Sequence, residues 1–400
     1  MTRGRWLRTT LVVVAVAVTA AAVGATAHST TKKSDVKVGI IYSRTGALKD
    51  FGAEYIQGFK LGMKYLTKGT NTVNGHKLEI SIGDDQTNPV TAVALGKQLI
   101  GSGYKILAGS TSSGVALQMA PLAAQNNVLF ISGAAAADAI TGINKNTFRA
   151  GRQSYQDVLD AASFLPPKTV GKKIVVFAED TAFGASNVAA VQAVFGGKGH
   201  TVSKILVPFT ATDITPFAQQ LKNANADLVF VAWANTSTAN QMWQALQQQR
   251  VPQTTTVVTG LAQRNTYQTF GPVAQGLKLL SHYVYQAPKN KVNDWLVKQM
   301  RKFGQVPDIF TPDGFVTAEL IVRAVQKADG DDVGKMISAL EGYKFLGPKG
   351  PERVRPEDHA LLQPMFQVEL VKGSNGRYDA KVLKTISPGN VQPPVHPFPS

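Results

Sequence analysis

Four hundred residues, 44% of them hydrophobic, suffice for a sizeable core and for two or more domains. The chain has no cysteine, which excludes disulfides, thiolate nucleophiles, iron–sulfur clusters, sulfur-ligated zinc and lipid attachment to Cys. The net charge of +16 is spread out, with Lys32-Lys33 and Lys172-Lys173 as isolated pairs; it reads as a solvated basic surface drawn to an anionic envelope, and no nucleic acid is expected as partner.

Residues 1–27 have the form of a secretory signal. Arg3, Arg5 and Arg8 make a basic start, Leu11 to Val23 is almost purely apolar, and Ala25-Thr26-Ala27 fits a cleavage site. The apolar run is shorter than the roughly 20 residues a spanning helix needs, so cleavage near Ala27 is expected rather than anchoring. No arginine pair marks the twin-arginine route, and no later segment is long and apolar enough to span. Removing the three signal arginines from +16 leaves +13.

After a polar linker the first strand is predicted at Val38 to Ile41, apolar throughout and hence buried on both faces. It runs through the loop Ser43 to Gly46 into a helix from Phe51 to Leu66. A strand at Leu78 to Ile82 ends in G-D-D-Q-T-N-P, where Asn88-Pro89 suits a helix start. A helix from Val90 to Ile100, a strand at Tyr104 to Ala108, the loop G-S-T-S-S-G (109–114), another helix, and a strand at Val128 to Ile131 ending in S-G-A-A-A-A-D complete one α/β lobe.

From Tyr155 the alternation starts again. Strands are predicted at Ile174 to Ala178, Val202 to Val207, Asp227 to Ala232 and Thr255 to Thr259. Helices lie before and between them at Tyr155 to Leu165, Ala185 to Val194, Ile214 to Ala224 and Ser237 to Gln248. A helical run from Trp295 to Leu340 follows. Then comes an antiparallel pair, Met365 to Val371 and Tyr378 to Leu383, around a Gly373-Ser374-Asn375-Gly376 turn. Repeated strand–loop–helix units predict parallel sheets whose ligand-binding loops lie at the strands' carboxyl ends. The Pro-rich end from Pro388 is expected to be disordered.

The opening G-I-I-Y-S-R-T-G-A-L-K-D-F-G, the G-D-D-Q-T-N-P and G-S-T-S-S-G loops, A-E-D-T-A-F-G in the second half and G-P-K-G-P-E-R-V-R-P-E-D-H near the end occur in an order and spacing that is specific. From Val36 to about Leu383 the chain resembles the periplasmic leucine/isoleucine/valine-binding proteins, the solute receptors of branched-chain-type ABC importers. The resemblance implies an α/β fold of two doubly wound lobes joined by three hinge crossovers, the periplasmic binding protein type I fold. It places residues 36–150 with 285–346 in an N-terminal lobe and 151–284 with 347–386 in a C-terminal lobe, leaving 387–400 as a disordered tail. The crossovers fall near Phe148 to Ser154, Ser281 to Tyr285 and Leu346 to Gly350. It further implies a monomeric, extracytoplasmic receptor that closes on a small-molecule ligand and hands it to a membrane permease. With no cysteine for a lipid anchor, the expected compartment is the periplasm. No cofactor, metal or catalytic residue is implied.

Ser112 and Ser113 sit where a strand ends and a helix begins, so their hydroxyls and the free N–H groups of the first turn can hold a carboxylate without a cation. Plain helix capping explains the same serines. In the family the serine matching Ser113 holds the ligand. Ala134 to Ala136 match a loop that supplies backbone groups and a threonine hydroxyl, but here Ala136 replaces the threonine. Phe51 stands at an aromatic position of the cleft wall. Phe183 stands where the family has a tyrosine, leaving only packing. Trp233 is expected as a lid from a strand-end loop. After Thr259 amino-acid binders carry a carboxylate for the ligand ammonium, whereas this chain reads Gly260-Leu261-Ala262-Gln263. Either another acid, such as Asp180, substitutes, or the ligand is a small organic acid or amide without an ammonium, since an unpaired one would cost several kcal/mol in a closed cleft.

Asp84-Asp85 cannot readily share a proton or metal, because strand neighbours point to opposite faces. Asp358-His359 falls in a region implied to be hinge-like or structural, and no H-x-x-x-H pair suggests a metal. A serine hydrolase is the rival class, yet no G-x-S-x-G is present, and S-x-x-K at Ser102 to Lys105 lacks its companion motifs. A ligand-sensing receptor for a membrane kinase would have the same cleft.

Overall fold

The computed structural model describes Met1 and residues 33–399 other than Pro167 and Gln275. The expected signal segment, after Met1, lies outside the described residues. Strand β1 (Val36–Tyr42) organises the first lobe. It is buried along nearly its whole length, as a strand must be when helices cover both faces of its sheet. An edge hairpin of β2 (Thr72–Val73) and β3 (His76–Asp84) precedes β4 (Ile106–Gly109), β5 (Leu129–Ser132) and β6 (Thr147–Arg149). Together they form a six-stranded sheet in the order β2-β3-β1-β4-β5-β6, with Ile40 of β1 opposite Ile82 on one side and Ala108 on the other. Val38 and Ile40 face a core that includes Tyr55 and Phe59 of α1 (Lys49–Leu66). Ile41 faces the opposite core, with Ala92 of α2 (Pro89–Gly101) and Val115 of α3 (Ser113–Gln125). Burying each such aliphatic or aromatic side chain contributes about 1.5–3 kcal/mol.

The second lobe repeats the plan. β7 (Lys173–Glu179), β8 (Thr201–Val207), β9 (Leu228–Ala232) and β10 (Thr256–Thr259) pair in parallel in the order β10-β9-β7-β8. On one face lie α4 (Ser154–Ala162) and α5 (Ala182–Val194). On the other lie α6 (Thr215–Asn223), α7 (Ala239–Gln248) and the short α8 (Val251–Thr254).

The chain then leaves β11 (Lys278–Ser281) for α9 (Lys291–Arg301), α10 (Thr311–Ala328) and α11 (Val333–Leu340), whose apolar faces join the first lobe. α10 lies backbone to backbone on α1. A Cβ at Gly58 would sit 1.8 Å from the Thr311 carbonyl oxygen, and one at Gly314 would sit 1.9 Å from that of Tyr55. Glycine is required there because nothing larger fits between the two helices. The helical insert, which periodicity alone leaves unplaced, is thus docked on the first lobe.

Two expectations change. Leu346 to Gly350 is not a crossover: β12 (Lys344–Gly347) and β13 (Gly350–Val354) form a hairpin, with Gly347 opposite Gly350. The Pro348-Lys349 dipeptide between those glycines is turn chemistry. Phe345, Val354 and Leu361 of this small sheet, completed by β14 (Leu361–Leu362), pack on the first lobe's core. The chain reaches the second lobe only after Leu362, through Gln363-Pro364, to β15 (Met365–Lys372) and β16 (Tyr378–Ile386), which join β11 in an antiparallel sheet.

The C-terminal segment is the other difference. Arg355, paired with Asp358 at 2.6 Å, donates to the carbonyls of Pro393 (2.8 Å) and Pro394 (2.9 Å), and His396 N–H donates to Asp358 (3.1 Å). Proline lacks the N–H but keeps a carbonyl, so a Pro-rich chain still docks through its acceptors. His359 stacks on Phe148 at 3.7 Å, with Nδ1 3.0 Å from the Thr147 carbonyl. Asp358 and His359 therefore tie the C-terminal segment and β6 together.

Candidate functional site: a cavity between the lobes

The carboxyl ends of the strands in both parallel sheets point at a cavity of about 210 Å³ between the lobes. Of the residues expected to bind ligand, Phe51, Ser112, Ser113, Ala134, Ala136, Phe183 and Leu261 all line it.

On the first-lobe side the loop after β4 is tied down from below. Ser110 Oγ donates a short hydrogen bond to buried Asp85, whose other oxygen accepts from Thr87 N–H at 2.7 Å. Asp84 turns the other way, accepting from Thr45 Oγ1 (2.7 Å) and from the N–H groups of Arg44 and Thr45. Burial raises the carboxyl of Asp85, whereas at Asp84 the hydrogen bonds outweigh burial and lower it. The two neighbouring carboxyls thus bond to different partners.

Ser112 caps α3, its Oγ accepting from Val115 N–H at 3.4 Å; Ser113 Oγ accepts from Ala137 N–H at 3.1 Å. Each hydroxyl accepts from backbone and donates to nothing among the described residues. Ala134 is an apolar wall whose N–H donates to Ser110 (3.1 Å) and whose carbonyl accepts from Arg152 (3.1 Å). The Ala136 carbonyl accepts from Ser154 N–H at 2.8 Å.

Trp233 departs from expectation. Its ring stacks on Phe177 at 6.0 Å, and its Nε1 donates to Thr238 Oγ1 at 3.1 Å. It lines an adjoining chamber of about 160 Å³ that shares Phe51, Ala234 and Leu261 with the main cavity, and it does not line the main cavity itself. A tryptophan one residue past a buried strand keeps that strand's alternation and packs back on the sheet.

Of the lining residues that the sequence does not single out, four bear on the chemistry. Phe209 and Phe310 extend the aromatic wall, with Phe310 edge-on to Phe51 at 4.6 Å between centroids. Arg152, on the first crossover, is buried, with Nε 3.2 Å from Asp157. Glu179 is the fourth. Asp180, the acid suggested by the sequence, is exposed, while its neighbour Glu179 is buried and lines the cavity. Adjacent residues at a strand end face opposite ways, so Glu179 and not Asp180 faces the cavity. Glu179 accepts from the backbone N–H groups of Ala234 (2.7 Å) and Asn235 (3.1 Å). Burial, opposed by those bonds, pushes its carboxyl up to about 7. Burial likewise raises Asp157 to about 6, against the pull of Arg152.

Hydrogen bonds join the lobes around the cavity. Thr236 donates from N–H and Oγ1 to the Ala47 carbonyl, both at 3.0 Å. Ser186 Oγ donates to Asp138 Oδ2 and accepts from Asp138 N–H, both at 2.9 Å. Gln263 Nε2 donates a short bond to Glu54, and Arg264 N–H donates to Asp308 at 2.9 Å.

Two α/β lobes with a residue-lined cavity at their facing strand ends are the architecture of a solute-binding protein. The model of the periplasmic binding protein family matches residues 35–376, and the chain belongs to that family. Among its relatives, it is 25% identical over 383 residues to Leu/Ile/Val-binding protein homolog 6 of Brucella suis, covering 92% of this chain and 96% of that protein. A solved ABC-type branched-chain amino acid transporter from Rhodopseudomonas palustris is 32% identical, with a TM-score of 0.74 over 91% of this chain and 100% of its own. An ABC-transporter solute binding protein of Rhodopseudomonas palustris, solved in complex with 4-hydroxybenzoate, shares the fold with a TM-score of 0.79 at 22% identity, over 89% of this chain and 97% of its own. The family is one of transport substrate-binding proteins, which act outside the cytoplasm. Among the described residues no helix is long and apolar enough to cross a membrane.

Proposed function

We propose that this chain is the periplasmic receptor of an ABC importer for a small organic acid with an aromatic body, exported by its N-terminal signal and acting as a monomer without cofactor or metal. One observation carries this reading. The cavity meets the ligand with the unused hydroxyl protons of Ser112 and Ser113 at one end and with Phe51, Phe183, Phe209 and Phe310 around the rest. At about 210 Å³ it is smaller than the ~300–1,000 Å³ of drug-sized pockets, which favours a single-ring ligand. Ser112 and Ser113 would hold the carboxylate with help from the start of α3, and the rings would stack on the ligand.

Leu261 leaves no acid after β10. Glu179 answers part of that lack, but both its oxygens already hold backbone N–H groups. It suits a neutral donor such as a hydroxyl better than a full ammonium, and the 4-hydroxybenzoate complex of the fold relative supports that choice. Closure would follow from differential contact: a ligand that touches both lobes favours the state in which Thr236 reaches Ala47 and Ser186 reaches Asp138. The permease would read the closed shape.

Titration calorimetry with 4-hydroxybenzoate, benzoate and leucine tests the reading. Binding of the aromatic acids at least ~10-fold tighter than leucine is expected, the increment of one good aromatic contact. Tight leucine binding with no heat from either aromatic acid overturns it.

A further inference from the structure

We propose that Arg152 makes this cavity select an ionised carboxylate over a neutral amide of the same shape; the inference rests on the proposed reading of the cavity as a site for a small acid. Arg152 lies on the first crossover with 1% of its surface exposed and is a lining residue. Its nitrogens are unequally matched. Nε faces both oxygens of Asp157, at 3.2 and 3.4 Å, Nη1 donates to the Ala134 carbonyl at 3.1 Å, and the guanidinium lies over Phe310, 5.6 Å from the ring centroid. Nη2 is buried and has no partner among the described residues. Asp157 therefore does not engage the fork. A paired carboxylate ordinarily bridges two guanidinium nitrogens, and here both its oxygens fall to one.

A guanidinium has five N–H donors and no acceptor, and a charged donor left unmatched in a buried place is costly. The missing acceptor has to come from something outside the described protein atoms. The surroundings specify its chemistry. Ala134, whose carbonyl Arg152 holds, lines the same cavity as Ser112 and Ser113, whose hydroxyls have protons to give. This wall consists of donors, one of them charged. A carboxylate offers acceptors on both oxygens together with a negative charge. An amide offers one acceptor, and its NH2 group would face further N–H donors.

The test compares acid and amide pairs, benzoate with benzamide and leucine with leucinamide, by calorimetry on wild type, Arg152→Met and Arg152→Lys. Wild type is expected to prefer the acid by ~100-fold or more, the scale of a charge-assisted hydrogen bond in a buried site. In Arg152→Met that preference falls below ~10-fold through loss of acid affinity, while any amide affinity stays within ~3-fold. Arg152→Lys keeps the charge and the packing stem but lacks the fork, and it is expected to lose about half of the preference on a logarithmic scale. This variant decides the matter if Arg152→Met does not fold. If acid and amide weaken equally in the variants, Arg152 only positions Ala134 and the proposal is overturned while the cavity reading stands. If wild type binds neither acid, both fall.

Discussion

The two walls of the cavity differ in chemistry although the two lobes share a plan. The first-lobe wall presents hydrogen-bond donors: Ser112 and Ser113 at the start of α3, with Arg152 behind them on the crossover. The second-lobe wall presents an acceptor, Glu179, whose carboxylate also orders the loop that reaches Ala47 through Thr236, beside Leu261 and the rings of Phe183 and Phe209, while Phe51 and Phe310 carry the aromatic lining on into the first lobe. The difference assigns the ends of a ligand. Under the proposed function, the charged group faces the helix start of the first lobe and any far hydroxyl faces Glu179 of the second.

The largest break in that contrast comes from the donor wall. Ser113→Ala removes a hydroxyl donor to a charged group and leaves Ala137 N–H without its acceptor. Affinity for benzoate is expected to fall by ~1.5–3 kcal/mol, with calorimetry as the check. Ser112→Ala adds a cost of ~1 kcal/mol to stability because it also removes the cap of α3, and a urea midpoint reads that part.

Glu179 tests the acceptor wall through pH. Its folded-state carboxyl titrates near 7, above the ordinary 4.5, so the folded protein holds this proton where the unfolded chain has released it. Stability from this group is therefore greatest below pH ~4.5 and declines as pH rises toward 7, by up to roughly 3 kcal/mol. Urea unfolding of the ligand-free protein between pH 5 and 8 should show the decline, and Glu179→Gln should flatten part of it. Asp157, raised to about 6, contributes in the same direction.

Phe183→Ala should weaken benzoate by ~0.5–1.5 kcal/mol beyond the lost area and leave a small aliphatic acid nearly unaffected. The smallest effect belongs to the edge of the cleft. Ser186→Ala removes the contact with Asp138, costing ~0.5–1.5 kcal/mol of the closed arrangement and weakening acid and amide ligands alike.

Much of this was legible before any coordinates. Runs such as Val38 to Ile41 and Asp227 to Ala232 announce buried parallel strands, because a short, largely apolar segment between turn signals is buried on both faces of a sheet. The serine loop is legible for a similar reason: a strand end followed at once by a capping residue fixes its place at the carboxyl edge. What escaped depends on direction or on distant partners. Asp180 and Glu179 differ only in which way the strand end turns them. Arg152 is an ordinary surface residue type until Ala134 and Asp157 close around it from different segments. Trp233 looks like a lid by position, yet Phe177 and Thr238 draw it aside. The segment Leu346 to Gly350 reads as a crossover from the resemblance, and only the antiparallel pairing of β12 with β13 shows it to be a hairpin.

A crystal structure grown with 4-hydroxybenzoate measures the polarity of the cavity most directly, since that molecule has a different group at each end. Its carboxylate is expected against Ser112, Ser113 and Arg152, its ring between Phe51 and Phe183, and its hydroxyl toward Glu179. A carboxylate bound on the second-lobe side, or a ligand seated outside this cavity, would contradict that placement.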